Sequence, residues 1–101
     1  MMSEILNVHP THPALPGHFP SNPLVPGVVL LTMIIETVER LHVEKMRVSG
    51  MPTVKFLAPA RPDMEIMLSL IPISTGLLKF ECRTGEILIA TGSIEMVVSP
   101  P

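Results

Sequence analysis

Residues 15–36 read LPGHFPSNPLVPGVVLLTMIIE. His18 stands among four prolines and two glycines, and the chain then turns almost wholly apolar, interrupted only by Thr32 and Glu36. Pro16, Pro20, Pro23 and Pro26 hold φ and remove backbone donors, which forbids helix and ladder pairing alike and leaves a stiff, extended loop. The loop ends at Pro26-Gly27, a pair that suits a helix start, and residues 27 to about 42 make the one convincing helix. Residues 28–35 are apolar on nearly every face, which predicts burial all round for two turns. Thr32, Glu36, Glu39 and Arg40 then fall on one stripe at helical spacing.

Beyond the helix the period changes from 3.6 to 2. Leu78, Phe80 and Cys82 alternate with Lys79, Glu81 and Arg83, the pattern of a half-buried strand. Met64, Ile66, Leu68 and Leu70 line one face of another strand. Leu88, Ala90, Ile94, Met96 and Val98 line a third, with Gly92 where another backbone comes close. Weaker strands cover residues 4–8, 43–48 and 53–57. Ser74-Thr75-Gly76 and Thr84-Gly85-Glu86 read as hairpin turns. The order is strand, loop, buried helix, then four strands in a meander. A lone helix that is apolar all round must be wrapped, and a curved antiparallel sheet can wrap it, so the fold class is α+β.

At 101 residues the chain is one domain, large enough for a core but not generously so. Its hydrophobic fraction is 47% and its charged fraction 16%, so part of the apolar excess is expected in a subunit interface. No apolar run approaches the roughly 18 to 20 residues of a membrane span. MMSEILNVHP has no basic stretch leading into an apolar one, so no signal peptide is expected. One cysteine excludes an intramolecular disulfide and fits a reducing cytoplasm. The net charge is −2 and the seven Lys and Arg residues are scattered, which argues against nucleic acid.

His18 has two readings from its residues alone: a loop histidine satisfied by a backbone carbonyl, or a base preorganised by the surrounding prolines. The helix start favours the second. No Ser, Thr, Asp or Asn immediately precedes it, so the N–H groups of Gly27, Val28 and Val29 are free to receive a carbonyl or a negative oxygen. A neutral imidazole beside such donors, among apolar residues, suits proton abstraction next to a thioester carbonyl.

GHFPSNPLVPGVVLL resembles the signature of the beta-hydroxyacyl-acyl-carrier-protein dehydratases, in which G-H-F-P-x-x-P-x-x-P-G runs into the central helix of a hotdog fold. His18, Phe19, Pro20, Pro23, Pro26 and Gly27 coincide in type and spacing. VKFLAPARPDMEIMLSL is similar to the family's strand after the helix, with its K-F-x-x-P-x-x-P-G-D turn. Here Arg61-Pro62-Asp63 is one residue short of the usual Pro-Gly-Asp. The resemblance covers the chain from about Ile5 and lacks the family's N-terminal helix or strand, so a minimal version is expected.

It implies a single hotdog domain over residues 1–101, a bent antiparallel sheet around the helix at 27–42. It makes His18 the catalytic histidine and Gly27 the backbone donor to the thioester carbonyl. Phe19, Val28, Leu31 and Ile35 become tunnel wall, and Pro26 and Glu36 complete the substrate-facing set. The implied activity is a cofactor-free 3-hydroxyacyl thioester dehydratase of fatty-acid or polyketide type, acting on acyl carrier protein or coenzyme A thioesters in the cytoplasm. Two protomers pair in this family, each site taking its histidine from one chain and its helix acid from the other. A homodimer or an oligomer of dimers is therefore expected.

The family's helix Glu or Asp falls fourteen residues after the histidine, where this chain has Thr32. A threonine hydroxyl orients water or a substrate hydroxyl but is no useful proton donor near neutrality. Three readings stand: His18 works alone with Thr32 holding the leaving hydroxyl, Glu36 stands in from one turn on, or the chain is a non-catalytic acyl-binding subunit partnering an active dehydratase. A thioesterase would need a water-activating carboxylate near the oxyanion site, and Thr32 argues against that too. For Glu36 the ordinary alternative is a surface charge paired with Arg40 at i+4.

Other residues read more plainly. His9, His12 and His18 match no metal-site spacing, so no metal is expected. His42 caps the helix C-terminus, and Cys82 is a buried, inert thiol. Met33, Met51 and Met67 are candidates for an adaptable tunnel lining. Arg40, Lys45, Arg47, Lys55 and Arg61 are where an acidic carrier would dock, or are solvated surface charge.

Overall fold

The computed structural model describes residues 2–7, 24–42, 46–62 and 64–98. His9, His12, His18, Phe19, Lys45 and Asp63, singled out above, lie outside the described residues. The elements are β1 (Met2–Leu6), α1 (Gly27–Leu41), β2 (Met46–Phe56), β3 (Ile66–Ser74), β4 (Leu77–Thr84) and β5 (Ile87–Val98). They form one antiparallel sheet in the order β1-β3-β4-β5-β2 with α1 against its inner face, the hotdog arrangement. Among the described residues no helix is long and apolar enough to cross a membrane.

The period-2 reading places the inner face well. Ile66, Leu68 and Leu70 of β3, Leu78, Phe80 and Cys82 of β4, and Ala90, Ile94 and Met96 of β5 are buried against Val29, Leu30, Ile34 and Val38 of α1. Both hairpins turn at a glycine in the left-handed region, Gly76 at φ 74° and Gly85 at φ 58°, where other residues are strained. Gly92 lies under the Phe80 ring and beside the carbonyl of Thr53, so the close approach expected there is present. His42 caps α1: its N–H donates to the Val38 carbonyl (3.2 Å) and its Nδ1 lies 2.7 Å from that oxygen.

Several expectations are corrected. Only β3, β4 and β5 form a meander, because β2 crosses to the far edge and pairs with β5, while β1 pairs with β3 on the other edge. β1 covers Met2–Leu6 instead of residues 4–8, since its pairing stops where Leu6 meets Ile66, the first residue of β3. The two weak strands are one, β2, with register shifts around Gly50 and Pro52. An edge strand tolerates a proline there because the missing N–H breaks no ladder bond on its open side. In β5 a bulge opposite Cys82 and Arg83 buries Ile89 in place of Leu88, and Val98 is exposed at the strand's end. Met67 points outward, since it alternates with buried Ile66 and Leu68, and so does not line an interior tunnel.

The helix is not buried all round in the single chain. The sheet covers only one side, leaving Val28 70% exposed and Thr32 and Glu36 in the open. Arg40 reaches Glu4 of β1 (3.5 Å) instead of Glu36. Glu39 accepts a hydrogen bond from the N–H of Val48 (2.8 Å), tying the helix to the edge strand.

Candidate active site

The site is organised by the helix start. Pro26 stands at N-cap with φ −58° and ψ 144°, and no side chain caps the first turn. The Pro26 carbonyl accepts from the N–H groups of Val29 (3.0 Å) and Leu30 (3.2 Å). Val29 is therefore not one of the free donors the sequence reading counted: the tight first turn consumes its N–H. Gly27 and Val28 meet no backbone acceptor among the described residues. Their N–H groups lie at the positive end of the helix dipole, where an oxygen carrying negative charge is stabilised.

This start is held in place from two sides. The N–H of Val25 donates to the carbonyl of Ala60 (2.8 Å), anchoring the incoming chain to the segment after β2. That segment is itself turned by the Ile89 carbonyl at the β5 bulge, which accepts from both Leu57 (2.8 Å) and Ala58 (3.2 Å). Gly27 lets the half-exposed Phe56 ring close over the helix start: a Cβ there would lie 2.9 Å from the ring's tip and push it aside.

Two cavities flank the first turns of α1. The first, about 350 Å³, is lined by Leu24, Val25, Gly27, Leu30, Phe56, Ala58, Pro59, Ala60 and Ile89. Its walls are apolar and its polar groups are backbone, which suits an acyl chain with its carbonyl end at the helix terminus. The second, about 190 Å³, lies on the open side of the helix and is lined by Val28, Val29, Thr32, Met33 and Glu36. Within it the hydroxyl of Thr32 donates to the carbonyl of Val28 (2.8 Å). Its single proton is thereby engaged, and what it turns outward is lone pairs.

The residues singled out from the sequence therefore divide. Val28, Thr32 and Glu36 come together on one stripe, whereas Gly27 faces the other cavity. Pro26 is the N-cap and partly buried. Leu31 packs on the core edge and Ile35 is half-buried, and neither lines these two cavities. Sequence reasoning missed Phe56, Ala60 and Ile89 as cavity walls. The K-F-x-x-P stretch carried the signal for Phe56, but only the β5 bulge brings Ile89 to that wall. Met33 shares the second cavity, and Met51 packs at the margin of the core. Cys82 is fully buried and burial pushes its thiol up to about 12, so it is chemically inert near neutrality.

A family model described as ApeI-like, ApeI dehydratase, matches residues 2–93. A 3-hydroxyacyl-[acyl-carrier-protein] dehydratase FabZ from Caldanaerobacter subterraneus is 28% identical, over 94% of this chain and 75% of its own. Among solved structures, the dehydratase heterocomplex ApeI:P from Xenorhabdus doucetiae superposes with a TM-score of 0.78 at 26% identity, covering 93% of this chain and 84% of its own. The fluoroacetyl-CoA-specific thioesterase FlK shares the fold alone, with a TM-score of 0.65 at 13% identity over 96% of this chain and 87% of its own.

Proposed function

Because the chain belongs to the ApeI-like dehydratase family, we propose that it removes water from a 3-hydroxyacyl chain carried as a thioester on an acyl carrier protein. It is a 3-hydroxyacyl-acyl-carrier-protein dehydratase-like protein of hotdog fold. The observation that carries the catalytic reading is the uncapped start of α1, where the N–H groups of Gly27 and Val28 meet no backbone acceptor among the described residues and Gly27 lines an apolar cavity.

In this reading His18 takes the proton from C2 and the electrons of that C–H bond form the C2–C3 double bond. The C3–O bond breaks, and the hydroxyl leaves as water after gaining one proton. Negative charge that gathers on the thioester oxygen during proton removal is met by the Gly27 and Val28 N–H groups, which need no reorganisation to receive it. The apolar walls keep water from competing for those donors. Leu24, Leu30, Phe56 and Ile89 border the acyl chain in the first cavity, and Phe19 is the further wall residue that the family resemblance implies. Basic side chains on the surface, Arg47, Lys55 and Arg61 among them, offer complementary charge to an acidic carrier.

The working unit is a homodimer or an oligomer of dimers. Support comes from the exposed apolar residues around the helix start, Leu24, Val28, Phe56 and Leu57, which a second copy would cover. The location consistent with this reading is the cytoplasm.

His18→Ala tests the catalytic reading. It is expected to keep the wild-type melting temperature and to abolish dehydration of 3-hydroxyacyl thioesters. Unchanged turnover refutes it. A second reading, a non-catalytic subunit that binds acyl chains beside an active dehydratase, is favoured by Thr32 at the position where the family carries an acid. The Xenorhabdus relative is itself a heterocomplex. That reading expects no turnover by the isolated chain and full turnover on adding an acid-bearing partner.

A further inference from the structure

We infer that the first cavity measures the acyl chain: it admits short and medium chains, stops long ones against a fixed floor, and owes its depth to the small side chain of Ala60. The inference rests on the acyl reading of that cavity given above and names the class of substrate it serves.

Exposure sorts the lining into a rim and a floor. Leu24 and Phe56 are 41% and 50% exposed, whereas Leu30, Ala60 and Ile89 are 2%, 4% and 1% exposed and belong to the hydrophobic core. A chain that enters past Leu24 and Phe56 therefore runs inward until it meets the core itself. A close-packed core does not take further methylenes without strain.

The floor is also held by its backbone. The Ile89 carbonyl accepts from the N–H groups of Leu57 and Ala58, and the Ala60 carbonyl accepts from that of Val25. On the far side the carbonyl of Arg61 accepts from the N–H of Met64 (3.4 Å). The segment that carries Ala60 is thus tied to β5 and to the approach to α1, and it cannot recede before a longer chain. Of the three floor residues Ala60 alone is small. Carbon added there is taken from the space left for substrate.

The cavity holds about 350 Å³. A chain carbon needs on the order of 30 Å³, the share of one water molecule in the liquid, so roughly ten to twelve carbons fit. The carbonyl end is held at Gly27, whose N–H meets no backbone acceptor among the described residues. A longer chain consequently has slack at neither end: it lifts its carbonyl off the donor or leaves methylenes in water.

The experiment compares wild type, Ala60→Leu and Ile89→Val along a series of acyl chains from four to sixteen carbons. Turnover is read as kcat/KM on 3-hydroxyacyl pantetheine thioesters. Binding of the matching acyl pantetheine thioethers, which cannot react, is read by calorimetry, and thermal melting is recorded for each variant. Wild type is expected to bind more tightly with each added pair of carbons up to about ten, and to lose at least about tenfold by sixteen. Ala60→Leu is expected to move that turning point down by about three carbons. Ile89→Val, a milder change that keeps the fold, is expected to favour twelve carbons over ten by a few-fold relative to wild type; it decides the matter if Ala60→Leu does not fold. Affinity that keeps rising through sixteen carbons overturns the inference, as does a turning point unmoved in folded Ala60→Leu or an unchanged twelve-to-ten ratio in Ile89→Val. No binding at any length overturns it together with the acyl reading. A wild-type protein that binds with the expected turning point yet forms no enoyl product upholds the inference and strikes the dehydratase reading alone.

Discussion

Replacing Gly92 by alanine is the sharpest test of the packing described above. A Cβ at that position would lie 2.1 Å from the carbonyl oxygen of Thr53 and 2.6 Å from the edge of the Phe80 ring. Neither neighbour can move cheaply. The oxygen belongs to the β2 backbone, held on either side by the pairs Thr53↔Ser93 and Lys55↔Thr91, and Phe80 is fully buried among the core residues of α1 and β3. Relief requires a shift of about an ångström in β2 or a displacement of the ring, and forced overpacking of this kind costs roughly 1–3 kcal/mol or more. Because backbone and a buried aromatic are both involved, the upper end of that range, about 3 kcal/mol, is expected. For a chain of this length that lowers the melting temperature by roughly 12 to 24 °C. Gly50→Ala is the matched control: it lies in β2, the strand paired with β5, and a Cβ there meets nothing within 4 Å. Its effect should stay within about 0.5 kcal/mol of wild type. Both variants are measured by urea titration and thermal melting at one fixed protein concentration, since association couples to stability. Equal stability of Gly92→Ala and Gly50→Ala would refute the packing argument.

Three further outcomes are expected. Gly27→Ala presses on the exposed tip of the Phe56 ring, which can swing away, so melting should change by only a few degrees while turnover of longer acyl chains falls as the first cavity is reshaped; a loss of stability like that of Gly92→Ala would contradict this. Cys82 should resist iodoacetamide in the native protein at pH 8 and react only on unfolding. Because burial raises the Cys82 thiol from its ordinary 9.0 to about 12, the stability it contributes is present below pH 9 and is lost as pH rises toward 12, whereas Cys82→Ala should remove that part of the alkaline decline. The Arg40–Glu4 pair is exposed on the arginine side, so Glu4→Gln should cost less than about 1 kcal/mol in denaturant titration, and a larger loss would mean that the pair does more than decorate the surface.

How far the site could be read from the sequence follows from the range of each interaction. The motif around His18 and Pro26-Gly27 announced the helix start and its bare donors, because capping is a matter of two or three consecutive residues. It could not announce that Val29 spends its N–H on Pro26, which depends on the tightness of the first turn. Nor could it say that Gly27 and Thr32 face different cavities, since a helix apolar on every side gives no sign of which side the sheet will cover.

The same division runs through the fold. Helix limits, the inward stripes of β3 and β4, both glycine turns and the need for Gly92 were determined by the sequence alone. Each is set by steric preference or by the period of a few neighbouring residues. The partner of β2, the fusion of its two halves through Gly50 and Pro52, the Ile89 bulge and the pairing of Arg40 with Glu4 were decided by the tertiary structure. These depend on which strand lies at an edge and on residues tens of positions apart, whose meeting no local pattern encodes.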